Sequence, residues 1–122
     1  MPKRVLLVED EPNIVEAIRF LLSRDGFQVD THSDGQSALD AVARKSPDLI
    51  ILDVMLPNRS GYEILQDLRA QQATKDLPVL MLTARGQKHD RDMAAQHGAS
   101  AFMTKPFSNS EILDTVRGLI GS

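Results

Sequence analysis

The sequence contains no cysteine and no long hydrophobic run. The absence of cysteine excludes disulfides, thiolate metal sites and a cysteine nucleophile, and it fits a reducing compartment. No segment has the length needed to span a membrane. The apolar run near the N-terminus, RVLLV, is too short for a signal peptide and is followed by acids. A soluble cytoplasmic domain without membrane association is therefore expected.

The bulk composition is that of an ordinary folded domain. The chain has 122 residues, which suits one domain spanning residues 1–122 with a normal core. Hydrophobic residues make up 42% and charged residues 25%, so disorder is not expected. The formal net charge of −3 argues against a broad nucleic-acid surface, and we expect this domain not to bind nucleic acid directly.

Short apolar runs alternate with helical patterns along the chain. Runs of this length, bounded by polar residues, are typical of buried parallel strands. A second, more polar run has the character of an edge strand. The alternation predicts βαβ units, hence an α/β fold with a five-stranded parallel sheet and five helices on both faces. The five predicted strands are Val5–Val8, Phe27–His32, Leu49–Leu52, Val79–Leu82 and Ala101–Thr104.

Local signals mark several helix ends. Pro12 suits the first position of the first helix, and Gly26 suits its end. Asp34 is expected to cap the second helix. Ser108 and Glu111 have the spacing of a capping box for the last helix. The fourth helix has few large apolar residues, so it should pack loosely.

Polar side chains stand at the ends of four of the predicted strands. In an open α/β sheet, ligands bind in the crevice at this edge. Clustered carboxylates repel one another unless a cation lies among them. Oxygen ligands favour Mg²⁺ (with Mn²⁺ as an alternative ion) completed by waters and a phosphate, so the pattern predicts phosphoryl chemistry. The residues concerned are Glu9, Asp10, Asp53, Thr83 and Lys105.

Each acid also has a simpler interpretation. A lone aspartate such as Asp53 often caps a turn. Glu9 and Asp10, together with Glu11, could form an acidic cluster favoured by the helix dipole, and for Glu9 and Asp10 taken alone the two interpretations are equally open. The site interpretation gains weight because the first and third strands are neighbours in a doubly wound sheet.

The remaining candidates follow the fourth and fifth strands. Thr83 offers a hydroxyl to a phosphoryl oxygen, and the small Ala84 leaves room for the phosphate. A threonine at the end of a strand is common and alone indicates no function, and Lys105 could equally be an ordinary solvated lysine. A cis bond between Lys105 and Pro106 would hold the ammonium over the site. There it would pair with Asp53, or with a phosphoryl oxygen on it.

Four segments resemble the receiver domains of bacterial two-component response regulators, of which the chemotaxis response regulator is one. They are VLLVEDE, DLIILDVMLPNRSGYE, PVLMLTA and AFMTKPF, and the resemblance covers residues 4–120. It implies a flavodoxin-like fold with strand order 2-1-3-4-5. It also implies a signalling switch phosphorylated by a histidine kinase or phosphotransfer protein, which catalyses only its own phosphorylation and slow autodephosphorylation.

The resemblance also implies a role for each site residue. Asp53 is the phosphoacceptor. Asp10 binds Mg²⁺ directly and Glu9 through water, while Thr83 and Phe102 form a switch pair and Lys105 stabilises phosphoryl charge. The backbone carbonyl of Met55 is a further metal ligand, Met55 and Arg85 affect the phosphoryl lifetime, and Pro57, Gly61, Ala84 and Pro106 shape the loops.

The output is less defined by the sequence. The VEDE turn and the run MLTARG are similar to winged-helix regulators of the phosphate-regulon type. This implies control of an effector through the fourth helix, fifth strand and fifth helix, with homodimerisation as one outcome. Arg91 and Glu111 suit a charged pair there, although Ser100 and Ala101 replace an acidic pair of such relatives. The chain is expected to be a stand-alone receiver or one cut from a longer regulator.

Two other classes share part of this pattern. A small Mg²⁺-dependent phosphohydrolase with an aspartyl nucleophile would use similar acids, but Met55 stands where its second acid belongs. A flavodoxin-like electron carrier needs a phosphate-binding loop after the first strand, where Glu9, Asp10 and Glu11 would repel flavin phosphate. The receiver interpretation is preferred to both.

Overall fold

The computed structural model describes residues 2–84 and 88–120. Within these residues, five strands and five helices alternate along the chain. The strands are β1 (Arg4–Val8), β2 (Gln28–His32), β3 (Leu49–Asp53), β4 (Val79–Thr83) and β5 (Ala101–Thr104). The helices are α1 (Pro12–Arg24), α2 (Ala38–Lys45), α3 (Gly61–Ala70), α4 (Lys88–Gln96) and α5 (Asn109–Ile120).

All neighbouring strands of the sheet are parallel, and their order is β2-β1-β3-β4-β5. The predicted fold class is therefore confirmed. In the register of the sheet, Val8 pairs with Leu52 and Asp53 pairs with Leu82. The carboxyl ends of β1, β3 and β4 consequently lie side by side, and the residues that end or follow these strands share one edge.

The core lies on both faces of the sheet. Side chains of successive strand residues point to opposite faces, and every residue of β3 and β4 is buried. One face packs against α2, α3 and α4, and the other packs against α1 and α5. Burial on both faces explains why these strands are continuous apolar runs in the sequence. Each fully buried Leu or Ile contributes about 1.5–3 kcal/mol relative to an exposed one.

The predicted helix ends are mostly confirmed. Pro12 is the first residue of α1, and Gly26 follows the helix with a φ of 94°. At α5, the Glu111 N–H donates to Ser108 Oγ at 3.1 Å, and the Ser108 N–H donates to Glu111 Oε1 at 3.0 Å. This reciprocal pair is the capping box expected there.

The expected cap of α2 is wrong. The helix begins at Ala38, with Ser37 in the capping position, so Asp34 lies outside it. The Asp34 carboxylate instead accepts the Gln36 N–H at 3.1 Å and stabilises the turn before the helix. Aspartate serves helix caps and turns equally well, because its side chain binds nearby backbone N–H groups in both.

Helix α4 buries little apolar surface, in agreement with its sequence. Ala94 is its one buried residue among those described. Polar groups on α3 reach this region: the Tyr62 hydroxyl donates to the Asp90 carbonyl at 3.2 Å, and Arg69 Nε donates to the Gly98 carbonyl at 2.9 Å. None of the helices in the described ranges combines the length and apolarity needed to cross a bilayer.

Candidate functional site

Three acidic side chains meet at the carboxyl edge of the sheet. Glu9 and Asp10 follow β1, and Asp53 is the last residue of β3. One carboxylate oxygen of each lies within 4.8 Å of the others. Glu9 and Asp53 are only 1% and 3% exposed, whereas Asp10 is exposed. The predicted convergence of Glu9, Asp10 and Asp53 is therefore present in the structure.

Glu9 is held at both carboxylate oxygens. Its Oε2 accepts the backbone N–H groups of Asp10 and Glu11, each at 3.0 Å, and its Oε1 lies 2.7 Å from Lys105 Nζ. Burial acts to raise the pKa of Glu9, but the hydrogen bonds from Lys105 and the Glu11 N–H outweigh burial and hold it below its ordinary value. Glu9 is therefore an oriented carboxylate that stays ionised.

Asp53 is in a less favourable environment for a negative charge. Its Oδ1 accepts the Met55 N–H at 3.2 Å, and its Oδ2 lies 3.4 Å from Lys105 Nζ. Burial, followed by the charge of Glu9, raises the pKa of Asp53 to about 6 despite the ammonium of Lys105. Two buried carboxylates share one lysine, so the site is short of positive charge.

Lys105 follows β5, and its bond to Pro106 is cis, as the sequence predicted. The Lys105 N–H donates to the Thr83 carbonyl at 2.7 Å, which fixes the residue beside β4. Burial acts to lower the pKa of Lys105, but the carboxylates of Glu9 and Asp53 raise it by more than burial lowers it. The pKa of Lys105 is therefore above its ordinary value. The ammonium is therefore charged at neutral pH. The expected partner was Asp53, yet Glu9 is nearer because backbone N–H groups orient it.

Thr83 and Phe102 lie on neighbouring strands. Thr83 ends β4 and is 1% exposed, and the register places the preceding Leu82 beside Asp53. Phe102 is half-buried on β5, with the guanidinium carbon of Arg91 lying 5.6 Å from its ring centre. Ala84 is exposed directly after Thr83. Thr83 lies next to the carboxyl end of β3, which Asp53 occupies. This position suits the predicted contact between the Thr83 hydroxyl and a phosphoryl oxygen on Asp53.

The loop between β3 and α3 is closely packed against the strand that carries Asp53. A Cβ atom on Gly61 would lie 2.3 Å from the Asp53 carbonyl oxygen, so only glycine fits there. The Gly61 N–H donates to the Val54 carbonyl at 2.9 Å. The same loop contains Pro57, whose carbonyl accepts the Gly35 N–H at 3.3 Å. These contacts suit the loop-shaping roles expected of Gly61 and Pro57.

Sequence reasoning missed one residue of this loop. Asn58 has a φ of 70°, in the left-handed region, and its side-chain amide donates to Asp34 Oδ1 at 2.9 Å. Asparagine in a turn sequence such as PNRSG is a signal for this conformation, because asparagine adopts it more readily than most residues. The partner, Asp34, is distant in sequence and has no such signal.

The donor set fits a hard divalent cation. Three carboxylates face one ammonium, which leaves two negative charges in a partly buried cluster. All the side-chain donors are oxygens, the ligands that Mg²⁺ prefers, and the exposed Asp10 leaves an open side for water and substrate. When bound, such an ion would be held by the acids of this cluster.

A family model described as the response regulator receiver domain matches residues 5–117. The chain therefore belongs to the receiver domain family of two-component response regulators. It is 41% identical over 120 residues to the phosphate regulon transcriptional regulatory protein PhoB of Escherichia coli K12, covering 98% of this chain and 52% of PhoB. It is 42% identical over 120 residues to the alkaline phosphatase synthesis transcriptional regulatory protein PhoP of Bacillus subtilis 168, covering 98% and 49%.

The chain thus spans about half the length of the curated relatives it matches. Among solved structures, it is similar to the receiver domain of the sensor histidine kinase PA1611 from Pseudomonas aeruginosa PAO1, which has a magnesium ion coordinated in its active-site cleft. The two chains are 32% identical with a TM-score of 0.91, and each is covered completely. These findings confirm the receiver interpretation and its function as a phosphorylation-activated signalling switch, and they do not favour the phosphohydrolase.

Proposed function

We propose that Asp53 accepts a phosphoryl group from a phosphohistidine on a partner histidine kinase or phosphotransfer protein. Mg²⁺ (or Mn²⁺) would be held by Asp53, by Asp10 directly, by Glu9 through water and by the backbone carbonyl of Met55. The observation that carries the proposal is the convergence of the three acids within 4.8 Å beside Lys105. The proposed domain spans residues 1–122, and a cytoplasmic location suits this chemistry.

The transfer itself is a nucleophilic displacement. A carboxylate oxygen of Asp53 attacks phosphorus, the P–N bond breaks, and its electron pair leaves with the imidazole of the donor. When bound, Mg²⁺ neutralises the charge that keeps two anions apart. Lys105, which now contacts Glu9 and Asp53, takes part of the charge on the phosphoryl oxygens. In autodephosphorylation, water attacks phosphorus and the Asp53 carboxylate leaves.

The signal then passes to the face formed by α4, β5 and α5. The Thr83 hydroxyl donates to a phosphoryl oxygen, which changes the space available to Phe102 on the next strand. A cleft of about 580 Å³ on this face is lined by Phe102 together with Arg91, Glu111 and Asp114. Coupling of this kind is typically about 1–3 kcal/mol. An effector protein or domain, or a second copy of the chain, would bind this face.

Two further expectations belong to the same proposal. Met55 has an exposed side chain at the mouth of the site, 59% accessible, where it can affect the approach of water to the aspartyl phosphate. Its size would then help to set the phosphoryl lifetime. Arg85, the second residue expected to affect this lifetime, lies outside the described residues.

The proposal is tested by intact-mass measurement after incubation with acetyl phosphate and Mg²⁺. Wild type should gain one base-labile phosphoryl group, and Asp53→Asn should gain none. Asp40→Asn, which removes an exposed carboxylate from α2, is the matched control and should behave as wild type. Chelation of the metal should abolish the gain. Phosphorylation of Asp53→Asn at the wild-type rate would contradict the proposal. So would a wild type that gains no phosphoryl group from either acetyl phosphate or a phosphorylated histidine kinase.

A further inference from the structure

The turn between β2 and α2 is hydrogen-bonded to the loop between β3 and α3. Asn58 Nδ2 donates to Asp34 Oδ1 at 2.9 Å, and the Gly35 N–H donates to the Pro57 carbonyl at 3.3 Å. A Cβ atom on Gly35 would lie 2.4 Å from the Arg59 carbonyl oxygen. The two segments are therefore in close backbone contact, and Asp34 provides the side-chain link between them.

Asn58 needs such a link more than an ordinary loop residue does. Its φ of 70° is a left-handed conformation that costs free energy for any residue with a side chain. Residues in such conformations persist where the surrounding structure holds them there. The hydrogen bond from Asn58 to Asp34 is an interaction of this kind, because it fixes the side chain of the residue with the unfavourable backbone.

Asp34 is itself held in place by its own turn. Its Oδ1 also accepts the Gln36 N–H at 3.1 Å, and its Oδ2 accepts the Ser37 hydroxyl at 3.4 Å. Ser37 Oγ in turn lies 2.7 Å from His32 Nε2. The carboxylate that accepts the Asn58 amide is thus oriented by two groups of its own turn, and the second of them contacts His32 at the end of β2.

This network reaches the acidic site from two sides. The His32 carbonyl accepts the Glu9 N–H at 2.9 Å, which connects β2 to the loop that carries two of the acids. On the other side, the loop of Asn58 contains Met55, whose N–H donates to Asp53 at 3.2 Å. The last residue of β2 and the turn after it therefore contact both loops from which the site is built.

We infer that Asp34 is a positioning residue for phosphorylation, acting through Asn58 to hold the loop after β3 in its reactive conformation. The inference rests on the proposed function, because it concerns the same Asp53. Loss of the link would let the loop adopt other conformations, and the backbone of Met55 would no longer be fixed beside the carboxylate. The acids themselves would remain in place at the ends of β1 and β3.

The test is a double-mutant cycle with Asp34→Ala and Asn58→Gly. Glycine adopts a positive φ freely, so Asn58→Gly removes the hydrogen bond without adding backbone strain. The rate constant for phosphorylation by acetyl phosphate is measured at saturating Mg²⁺, per folded molecule. Each single variant should be slower by about fivefold, the effect of one hydrogen bond of ordinary strength, and the double variant should be no slower than either.

A conservative variant separates the hydrogen bond from the charge. Asp34→Asn keeps an oxygen that can accept from Asn58, so it should restore a rate close to wild type. Asp40→Ala removes the same charge from the neighbouring helix α2 and should leave the rate unchanged. If Asp34→Asn were as slow as Asp34→Ala, or if the two single effects multiplied in the double variant, the inference would be overturned.

A readout without phosphorylation keeps the two proposals distinguishable. In metal-free protein, the backbone amide resonance of Met55 should shift in both Asp34→Ala and Asn58→Gly, because it reports the conformation of the loop. Unshifted resonances would overturn the inference whatever the wild type does with acetyl phosphate. A wild type that accepts no phosphoryl group contradicts the proposed function, whereas wild-type rates in both variants contradict only the role of Asp34.

Discussion

Lys105 forms its closest ion pair with Glu9, whose Oε1 lies 2.7 Å from the ammonium nitrogen. The side chain of Glu9 is fully buried and that of Lys105 is 11% exposed, so little water screens the pair. Asp53 lies further from the same ammonium, at 3.4 Å. One lysine therefore compensates two buried carboxylates, and the three groups should respond unequally to substitution.

The first prediction follows from this inequality. In metal-free protein, Lys105→Met leaves two buried carboxylates uncompensated and should lower the free energy of unfolding by about 2–4 kcal/mol. Glu9→Gln leaves Lys105 with Asp53 and removes a repulsion, so it should cost less than about 1 kcal/mol. Urea denaturation measures both. Lys75→Met, at an exposed position, is the control, and equal losses for Lys105→Met and Glu9→Gln would contradict the prediction.

The second prediction concerns pH in metal-free protein. Burial and the charge of Glu9 raise the pKa of Asp53 from 3.8 to about 6. Between these values the folded state binds more protons than the unfolded state, so this carboxyl lowers stability as the pH rises. Asp53→Asn should therefore be more stable than wild type near neutral pH, by on the order of 1–3 kcal/mol.

That advantage should disappear below about pH 4, where the carboxyl is protonated in both the folded and unfolded states. The measurement is a series of urea denaturation curves in chelator from acidic to neutral pH. Asp40→Asn, at an exposed carboxylate, should show no such trend. A gap between Asp53→Asn and wild type that widened as the pH fell would refute the assignment of this environment.

The third prediction concerns Mg²⁺. An ion that binds only the folded state stabilises it, by about 2.7 kcal/mol at a concentration one hundred times its dissociation constant. Wild type should therefore unfold at a higher temperature as Mg²⁺ is added. Asp10→Asn, which removes the exposed acid of the cluster, should respond much less. Differential scanning calorimetry with Asp40→Asn as the control tests this, and an equal response of Asp10→Asn would exclude Asp10 as a ligand.

The fourth prediction compares two glycines. Gly61→Ala would place a Cβ atom 2.3 Å from the Asp53 carbonyl, so the backbone must move, at a cost of about 1–3 kcal/mol or more. The displacement should also slow phosphorylation, because Asp53 itself is pushed. Gly118→Ala has nothing within 4 Å of the new atom and lies inside α5, so it should stabilise by up to about 1 kcal/mol. Unfolding curves in which Gly61→Ala matched Gly118→Ala would contradict the close packing.

The sequence was sufficient for the fold because the fold depends on local patterns. The buried strands β3 and β4 are apolar up to their last residues, and the capping residues of α5 lie three positions apart. The convergence of Asp53 with the acids after β1 also follows from topology, since parallel strands end at one edge. Gly61 and the cis Lys105–Pro106 bond were predicted from the resemblance and the turn sequence.

The details that depend on contacts between distant segments could not be predicted. Asp34 was expected to cap α2, but its side chain stabilises the preceding turn and receives Asn58, which lies 24 positions away. The expected pair of Lys105 with Asp53 is present, but the nearer partner, Glu9, was not predicted, and backbone N–H groups of its own loop orient it. No periodic pattern in the sequence encodes either contact.

The small buried area of α4 has a consequence for how the domain could respond to its ligands. Of the described residues of α4, Ala94 alone is buried, and it belongs to the core on one face of the sheet. This helix could therefore change its angle to the sheet without opening either core, whereas tilting α3 would expose Ile64, Leu65 and Leu68. A modest chemical event at one edge of the sheet would then suffice to reshape a recognition surface while the architecture beneath it stays intact.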